Sequence, residues 1–371
     1  ADLSLFEETD RIFFRHVSHL PFSTTKERLS KNNYQIYLVP NENQLQEVVL
    51  SVSKFRQSKA DLPQKVVSLS QEDIVFANPQ TAADLLESSG QVYVQKSQLG
   101  GGSPMIRGFA TNRLLLTVDG VRMNTAIFRG GNVQNVISVD PLSLGRTEVV
   151  LGPGSVVYGS DAVGGVMNFY TLDPRFSFED KTRISGRAYA RYATANNEKT
   201  GHLDISVGKE KWAFLSSISY SDFGDLRMGS HGPDEYLRHE YVVRRDGEDI
   251  NVPNEDPKLQ KPTGYNQINL LEKLRFRPND TWDFSLGFIY TTTSDYPRYD
   301  RLYRKRDGEF RAAEWYYGPQ SWLQTNFQVN QKRNGPLYDK SKLTLAYQRF
   351  GESRNDRDYN AETLFQTEER V

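Results

Sequence analysis

The chain has no cysteine among its 371 residues, which excludes a disulfide scaffold, a zinc ribbon and any thiol nucleophile. It also lacks an excess of charge of either sign. Lys and Arg number 46 against 47 Asp and Glu, so the basic surplus of nucleic-acid binders is missing and no nucleic-acid partner is expected. Long apolar runs are absent as well. None approaches the ~20 residues of a membrane-spanning helix. That leaves transmembrane β-barrels untouched, because their strands alternate apolar and polar residues and a hydropathy average hides them. Aromatic residues at 12% beside only 37% apolar residues point in that direction. The first residue is Ala1, with neither an initiator Met nor a signal peptide, as in a processed, trimmed or partial chain.

The last 190 or so residues have the plainest pattern, a period of two. Ile184, Gly186, Ala188, Ala190 and Tyr192 share one face, and Ser185, Arg187, Tyr189 and Arg191 the other. Leu203, Ile205 and Val207 alternate with His202, Asp204 and Ser206, and Trp212, Phe214, Ile218 and Tyr220 with Ser217 and Ser219. Ile268, Leu270, Leu274 and Phe276 face away from Asn269, Lys273 and Arg275, with Glu272 breaking the apolar side. Trp282, Phe284, Leu286, Phe288 and Tyr290 form a fifth segment against Asp283, Ser285 and Gly287. A sixth sets Leu323, Phe327 and Val329 against Gln324, Asn326 and Gln328, and a seventh sets Leu343, Leu345 and Tyr347 against Thr344, Ala346 and Gln348. An eighth begins near Thr363. Each is roughly ten residues long, the length of a tilted strand crossing a bilayer.

Connections at 208–211, 277–280 and 332–339 are short, whereas 221–265 and 293–320 are long, charged and rich in Tyr. Short turns on one side and long loops on the other describe an outer-membrane barrel. Trp212, Trp282 and Trp322 stand beside expected strand ends, where interfacial girdle residues belong. The competing reading is a soluble antiparallel sandwich, which rarely alternates loop lengths so regularly.

Residues 65–175 read differently, as a small α/β unit. Asn78-Pro79 before 81–88 and Gly90 predicts a helix with Asn78 as N-cap and Pro79 in its first turn. Leu114 to Val118, then Asp119-Gly120, then Val121 to Met123 predicts a hairpin with a tight turn. Asp140-Pro141 predicts a short helical turn, and 147–151 and 166–171 two further strands. Gly100-Gly101-Gly102-Ser103 lacks the Gly-Lys-Ser/Thr ending of a phosphate loop, so tight turns explain these glycines better than nucleotide binding does.

Several blocks here resemble the plug of TonB-dependent outer-membrane receptors. They are Met105-Ile106-Arg107-Gly108-Phe109, Val118-Asp119-Gly120-Val121-Arg122-Met123-Asn124, Glu148 to Leu151 with Gly152-Pro153-Gly154, Tyr158-Gly159, and Ala162-Val163-Gly164-Gly165-Val166-Met167-Asn168. They follow the family's order and spacing. Gly108, Asp119, Gly120, Glu148, Gly152, Pro153, Tyr158, Gly159, Gly164 and Gly165 carry the motif. Upstream, Gln46, Glu47, Val48, Val49, Leu50, Ser51 and Val52 resemble the TonB box, which an energy-coupling protein of the periplasm pairs with as a strand. Residues 1–40 resemble the closing strands, at 11–17 and 34–39, of the carboxypeptidase-regulatory-like, immunoglobulin-type extension that precedes the plug in Bacteroidetes receptors. The resemblance also implies a lock of two plug arginines on barrel glutamates. Arg107 matches the first, but Leu151 stands where the second belongs.

The expected fold is therefore mainly β. It comprises the end of an immunoglobulin-like extension (1–40), a TonB box and linker (41–64), a plug (65–175) and the first strands of an antiparallel transmembrane barrel (176–371). A barrel of this kind has roughly 22 strands, so about eight strands imply a fragment. The resemblance implies import of a scarce nutrient across an outer membrane, with the plug and extension on the periplasmic side. Implied partners are a TonB-type coupling protein, membrane lipid and a small or haem-type ligand, with a surface lipoprotein as a candidate. Asn112 to Leu116 and 127–137 resemble the haem and haemoglobin receptor branch. No histidine lies in the plug, and His231 and His239 of the 221–265 loop are the candidate ligand residues. Haem or an iron chelate is the expected cargo, with siderophore, vitamin and oligosaccharide left open as alternatives; no resident cofactor or metal is expected. No catalytic constellation appears, so the chain is not read as an enzyme. The rival reading is a receptor-derived structural or docking subunit of an outer-membrane assembly.

Overall fold

The computed structural model describes residues 7–16, 19–38, 48–49, 57–58, 64–96, 99–123, 135–177, 181–333 and 335–371. The plug starts with β1 (Lys65–Ser70), whose last residue is also a helix cap. The Ser70 hydroxyl accepts from the Asp73 amide at 3.2 Å and the Asp73 carboxylate accepts from the Ser70 amide at 2.8 Å. This reciprocal box starts α1 (Gln71–Ala77). Thr81 and Asp84 repeat the device at the start of α2 (Ala82–Ser88). The expected N-cap at Asn78 is therefore corrected. Asn78 ends α1 in the left-handed conformation (φ 47°), which Asn tolerates, and Thr81 caps the next helix. The pair Thr81…Asp84 held that signal and Asn78-Pro79 masked it.

Four more strands complete the plug sheet: β2 (Leu114–Val118), β3 (Val121–Arg122), β4 (Leu144–Leu151) and β5 (Gly165–Thr171). The order is β1-β4-β5-β2-β3, antiparallel except for the parallel β5–β2 pair. Strands covered on both faces read as unbroken apolar runs, and Leu114, Leu115, Leu116 and Val118 are all buried. The hairpin between β2 and β3 forms as expected, and Asp119 (φ 52°) and Gly120 (φ 81°) give it the left-handed pair of a type I′ turn.

The rest of the chain is a wall of sequentially neighbouring antiparallel strands: β6 (Arg183–Ala193), β7 (Glu198–Gly208), β8 (Trp212–Phe223), β9 (Tyr265–Phe276), β10 (Trp282–Thr293), β11 (Ser321–Lys332), β12 (Lys340–Asp358) and β13 (Phe365–Arg370). The eight expected segments all appear. β6 pairs with β7 without a register slip from Arg183↔Gly208 to Ala193↔Glu198. The sheet is open: β6 and β13 lie at different places along it and do not pair. β12 runs 19 residues, and Ala312–Tyr317 of the preceding loop folds back to pair with its far end.

Phe276 bridges Trp212 (centroids 4.0 Å) and Phe284 (6.2 Å), with Trp282 stacked on Phe284, near the short-turn end of the wall. Trp322 does not join this girdle. Ser321 and Leu323 point outward, so Trp322 points inward, 1% exposed, and packs into the plug core. No helix among the described residues is long and apolar enough to cross a membrane.

Ahead of the plug, Arg11–His16 pairs with His19–Thr25, and Thr25 caps a helix at Lys26–Lys31. The strand expected over 34–39 is not formed at 34–38, where Tyr34 takes φ 57° and the backbone is irregular; residue 39 lies outside the described residues.

Candidate functional site

The plug meets the wall through side-chain donors aimed at plug backbone. On the wall, Gln267 donates to the Ile137 carbonyl at 2.8 Å, Thr291 to the Ser138 carbonyl at 3.0 Å and Arg187 to the Leu142 carbonyl at 2.6 Å. Gln324 donates to the Val118 carbonyl at 3.3 Å, Gln328 to Asp119 at 2.8 Å and Gln348 to Arg122 at 2.6 Å, so three residues on adjacent strands hold the β2–β3 hairpin. Irregular plug backbone has unpaired carbonyls, and burying them requires such partners.

A charged group joins this contact. The Lys273 ammonium lies 3.1 Å from Asp119 Oδ2 and 3.1 Å from Asp173 Oδ1. Nearby, Ser219 donates to Asp140 Oδ2 at 2.6 Å, and His202 contacts Ser219 Oγ at 2.7 Å and Asp204 Oδ2 at 2.9 Å. Ser, His and Asp in that order resemble a hydrolytic triad, but Ser219 is 1% exposed and its proton goes to Asp140. It has no room for a substrate. Two cavities of about 20 Å³ border Asp140, each large enough for a water molecule and far too small for a nutrient.

The motif residues sit inside the plug. Arg107 (φ 50°) and Gly108 (φ 82°) form the exposed turn of the Ile106↔Phe109 bridge, and among the described residues Arg107 makes no ion pair. Leu151 is buried at the end of β4. Glu148 is fully buried, with Arg146 Nε 3.1 Å away. Burial, then the Glu148 charge, raise the Tyr158 phenol above its ordinary value, so it stays protonated. Gly152 and Gly159 both take positive φ, around the exposed Pro153 and the single helical turn Ser155–Tyr158. Gly164 is required by space, because a Cβ there would collide with the Phe109 ring, and a Cβ on Gly165 would meet the Val150 carbonyl at 2.8 Å.

Val48 and Val49 of the expected TonB box pair antiparallel with Ser58 and Gln57. Gln46, Glu47, Leu50, Ser51 and Val52 lie outside the described residues, as do residues 124–134 of the expected haem-branch motif.

At the long-loop end, the plug apex packs beneath tyrosines. Leu99 and Ile137 join Phe223, Tyr265, Tyr296 and Tyr317, and a Cβ on Gly100 would meet the Tyr296 ring at 3.1 Å. The glycine run is thus a close-packing device. Arg357 binds both Asp249 oxygens, at 2.7 and 2.8 Å, and also reaches Glu314. It ties the hairpin of the first long loop to β12 and to the second loop. The Arg238 guanidinium lies 4.9 Å from the Phe310 ring centroid and 5.6 Å from that of Tyr299. His231 and His239 are exposed in the first long loop, and among the described residues no group of three His, Cys, Asp or Glu is placed to hold a metal.

Sequence reasoning did not single out Lys273, His202, Asp140 or the wall glutamines as functional. The signal was present, since each wall residue here falls on the polar side of a period-two strand.

A plug domain seated on the polar face of an up-and-down antiparallel wall is the arrangement of part of a plugged β-barrel. Residues 58–166 match the TonB-dependent Receptor Plug Domain. The chain is 32% identical over 263 residues to a vitamin B12 transporter BtuB of Vibrio vulnificus strain YJ016, covering 70% of this chain and 37% of that protein. It is 37% identical over 146 residues to the BtuB of strain CMCP6, covering 38% and 23%. Its fold matches the FrpB iron transporter from Neisseria meningitidis with a TM-score of 0.60 at 15% identity, over 79% of this chain and 41% of that one. The chain is thus similar to TonB-dependent receptors, most directly across its plug, and it spans less than two fifths of the length of those curated relatives.

Proposed function

We propose that the chain is the plug and first barrel strands of an outer-membrane transporter that imports a scarce nutrient with energy relayed by a TonB-type coupling protein. One observation carries this reading: the wall exposes apolar side chains on one face and holds a folded plug on the other through hydrogen bonds and ion pairs. Such a passage is closed at rest and opens only when the plug moves. The cargo class is a compact metal chelate. The names of the relatives, a vitamin B12 transporter and an iron transporter, support that class. Within it, the motifs at 112–116 and 127–137 favour the haem branch of Bacteroidetes-type receptors. The Arg107 lock is retained as part of this reading, with a barrel carboxylate as its partner.

The test is at the TonB box. If residues 46–52 pair with the coupling protein through their backbone, main-chain geometry matters more than side-chain identity. Val49→Pro removes an amide donor and fixes φ. Energised uptake of haem, ferric chelate or cobalamin should be lost while surface binding and protein level persist, and Val49→Ala should be mild. Normal uptake by the proline variant would remove the transport mechanism. A fall in protein level would instead assign these residues to permanent packing.

A further inference from the structure

We propose that Lys273 is a positioning residue, a charge clasp that pins the plug's β2–β3 hairpin and its exit segment to the barrel wall and so sets how readily the passage opens. The statement about the passage rests on the transporter reading; the clasp does not. The Lys273 side chain is 6% exposed, and an ammonium that is this deeply buried is costly unless paired. Both of its carboxylate partners, Asp119 and Asp173, belong to the plug side. It also donates to the Thr171 carbonyl at 3.4 Å, where β5 ends.

Other inner-wall cations are arranged differently. Arg187 pairs with Asp204 at 2.8 Å and Arg191 with Glu198 at 2.6 Å within the wall, and Arg275, which reaches Asp173 at 3.7 Å, also has Asp283 of the wall at 2.6 Å. If the plug withdraws, those three each keep a wall carboxylate, whereas both carboxylates paired with Lys273 leave with the plug side. Displacing the plug therefore strands the Lys273 charge.

Asp119 concentrates the effect. Its carboxylate accepts from the Thr171 amide at 2.9 Å and from the Thr171 hydroxyl at 2.7 Å. The hairpin turn, the end of β5 and the exit segment thus converge on one ammonium. Gln324, Gln328 and Gln348 hold the same hairpin through neutral bonds, which fix its place but impose no charge penalty on release.

The experiment uses the full-length protein, with assembly checked by heat-modifiable mobility. Channel activity is recorded in planar bilayers, and amide exchange is followed across residues 114–123. Lys273→Met should raise the frequency of open events about tenfold and accelerate exchange in the hairpin, leaving exchange in α1 unchanged. Lys273→Arg, which keeps the charge, should restore the wild-type behaviour. Asp173→Asn should act in the same direction more weakly, and Lys273→Met/Asp173→Asn should add nothing beyond Lys273→Met. Should the Met variant fail to assemble, the Asn and Arg variants decide the matter alone. Wild-type conductance and exchange in Lys273→Met, or in Asp173→Asn where it stands in, would overturn the clasp, as would additivity of the two changes. Uptake of ferric chelate and cobalamin is measured in parallel. A released hairpin in the variant with no uptake in the wild type would keep the clasp and discard the transport reading.

Discussion

The plug and the wall bury opposite kinds of residue. In the plug, Leu85, Leu86, Ile106, Leu116 and Phe169 are at most 1% exposed and form the centre of the core. In the wall, Glu198, Thr200, His202, Ser217, Ser219, Asn269, Lys273 and Gln324 are buried, whereas Ile184, Leu203, Ile218, Leu286 and Leu345 stand 45–71% exposed. The same rule produces both patterns. Each element turns its apolar side toward the apolar medium, which for the plug is its own interior and for the wall is a lipid bilayer. Five inward apolar side chains of the wall, Leu215, Leu271, Ile289, Trp322 and Phe350, join the plug core. The two regions therefore share a core but not a solvent.

The sharpest way to break this comparison is to make the same kind of change on either side of one strand. Leu286→Arg places a charge in lipid and should cost about 2–4 kcal/mol near the bilayer midplane. Ser285→Arg, one residue away on the polar side, should cost much less. In the plug, Leu116→Ala should cost roughly 2–5 kcal/mol through lost packing, whereas Leu286→Ala in the wall should cost little, because lipid refills the space. Unfolding of the full-length protein from vesicles measures all four. Equal costs at 285 and 286 would show that the strand register is wrong.

This contrast also explains which parts of the fold could be read from the sequence. Period two in 184–192 or 282–290 reports a half-apolar strand directly, and the turn pair Asp119-Gly120 specifies its own hairpin. The inner contacts were harder. Gln324 and Gln328 were legible as polar positions, but their partners are backbone carbonyls of Val118 and Asp119 some 200 residues earlier, which no local pattern encodes. Trp322 is a different case: its place beside a strand end suggests a girdle, whereas strand parity, shared with Gln324, turns it to the plug. Asn78 was misplaced because two helix-terminus signals overlap within four residues.

Beyond the wall, where the loops meet water, neither burial rule holds the structure and ion pairs take over. Arg357 holds Asp249 in a two-pronged contact, and its hydrogen bonds lower the Asp249 carboxyl below its ordinary value of 3.8. A carboxylate with a depressed folded pKa stabilises fully above its unfolded value and loses that contribution as pH falls through the folded one. The hairpin formed by Glu240–Arg245 and Glu248–Pro253 should thus stay docked on β12 down to about pH 4 and loosen below it. Amide exchange or limited proteolysis across pH 3–7 reads this directly. Arg357→Met should loosen the hairpin at every pH and abolish the step. Release already at pH 6 would assign docking to a different group.

The smallest expected effect tests whether the outer face truly meets lipid. Glu272 is the carboxylate that interrupts the apolar side of β9, between Leu270 and Leu274, with Ser216 opposite on β8 and Phe288 opposite on β10. Ser216 donates to it at 2.7 Å. A carboxyl group in the hydrocarbon region is unfavourable, though less so than Arg or Lys. Glu272→Leu removes that penalty and leaves the Ser216 hydroxyl without this acceptor, a loss of about 1 kcal/mol. The two terms oppose each other, so the net change should be stabilising by less than about 1 kcal/mol. Adding Ser216→Ala should increase the gain, because the stranded hydroxyl goes with it. A loss of stability greater than about 1 kcal/mol on Glu272→Leu would mean that the carboxylate has a further polar partner in the assembled membrane. That stretch of wall would then be covered by protein, and the division between an apolar plug interior and a lipid-facing wall would fail at this strand.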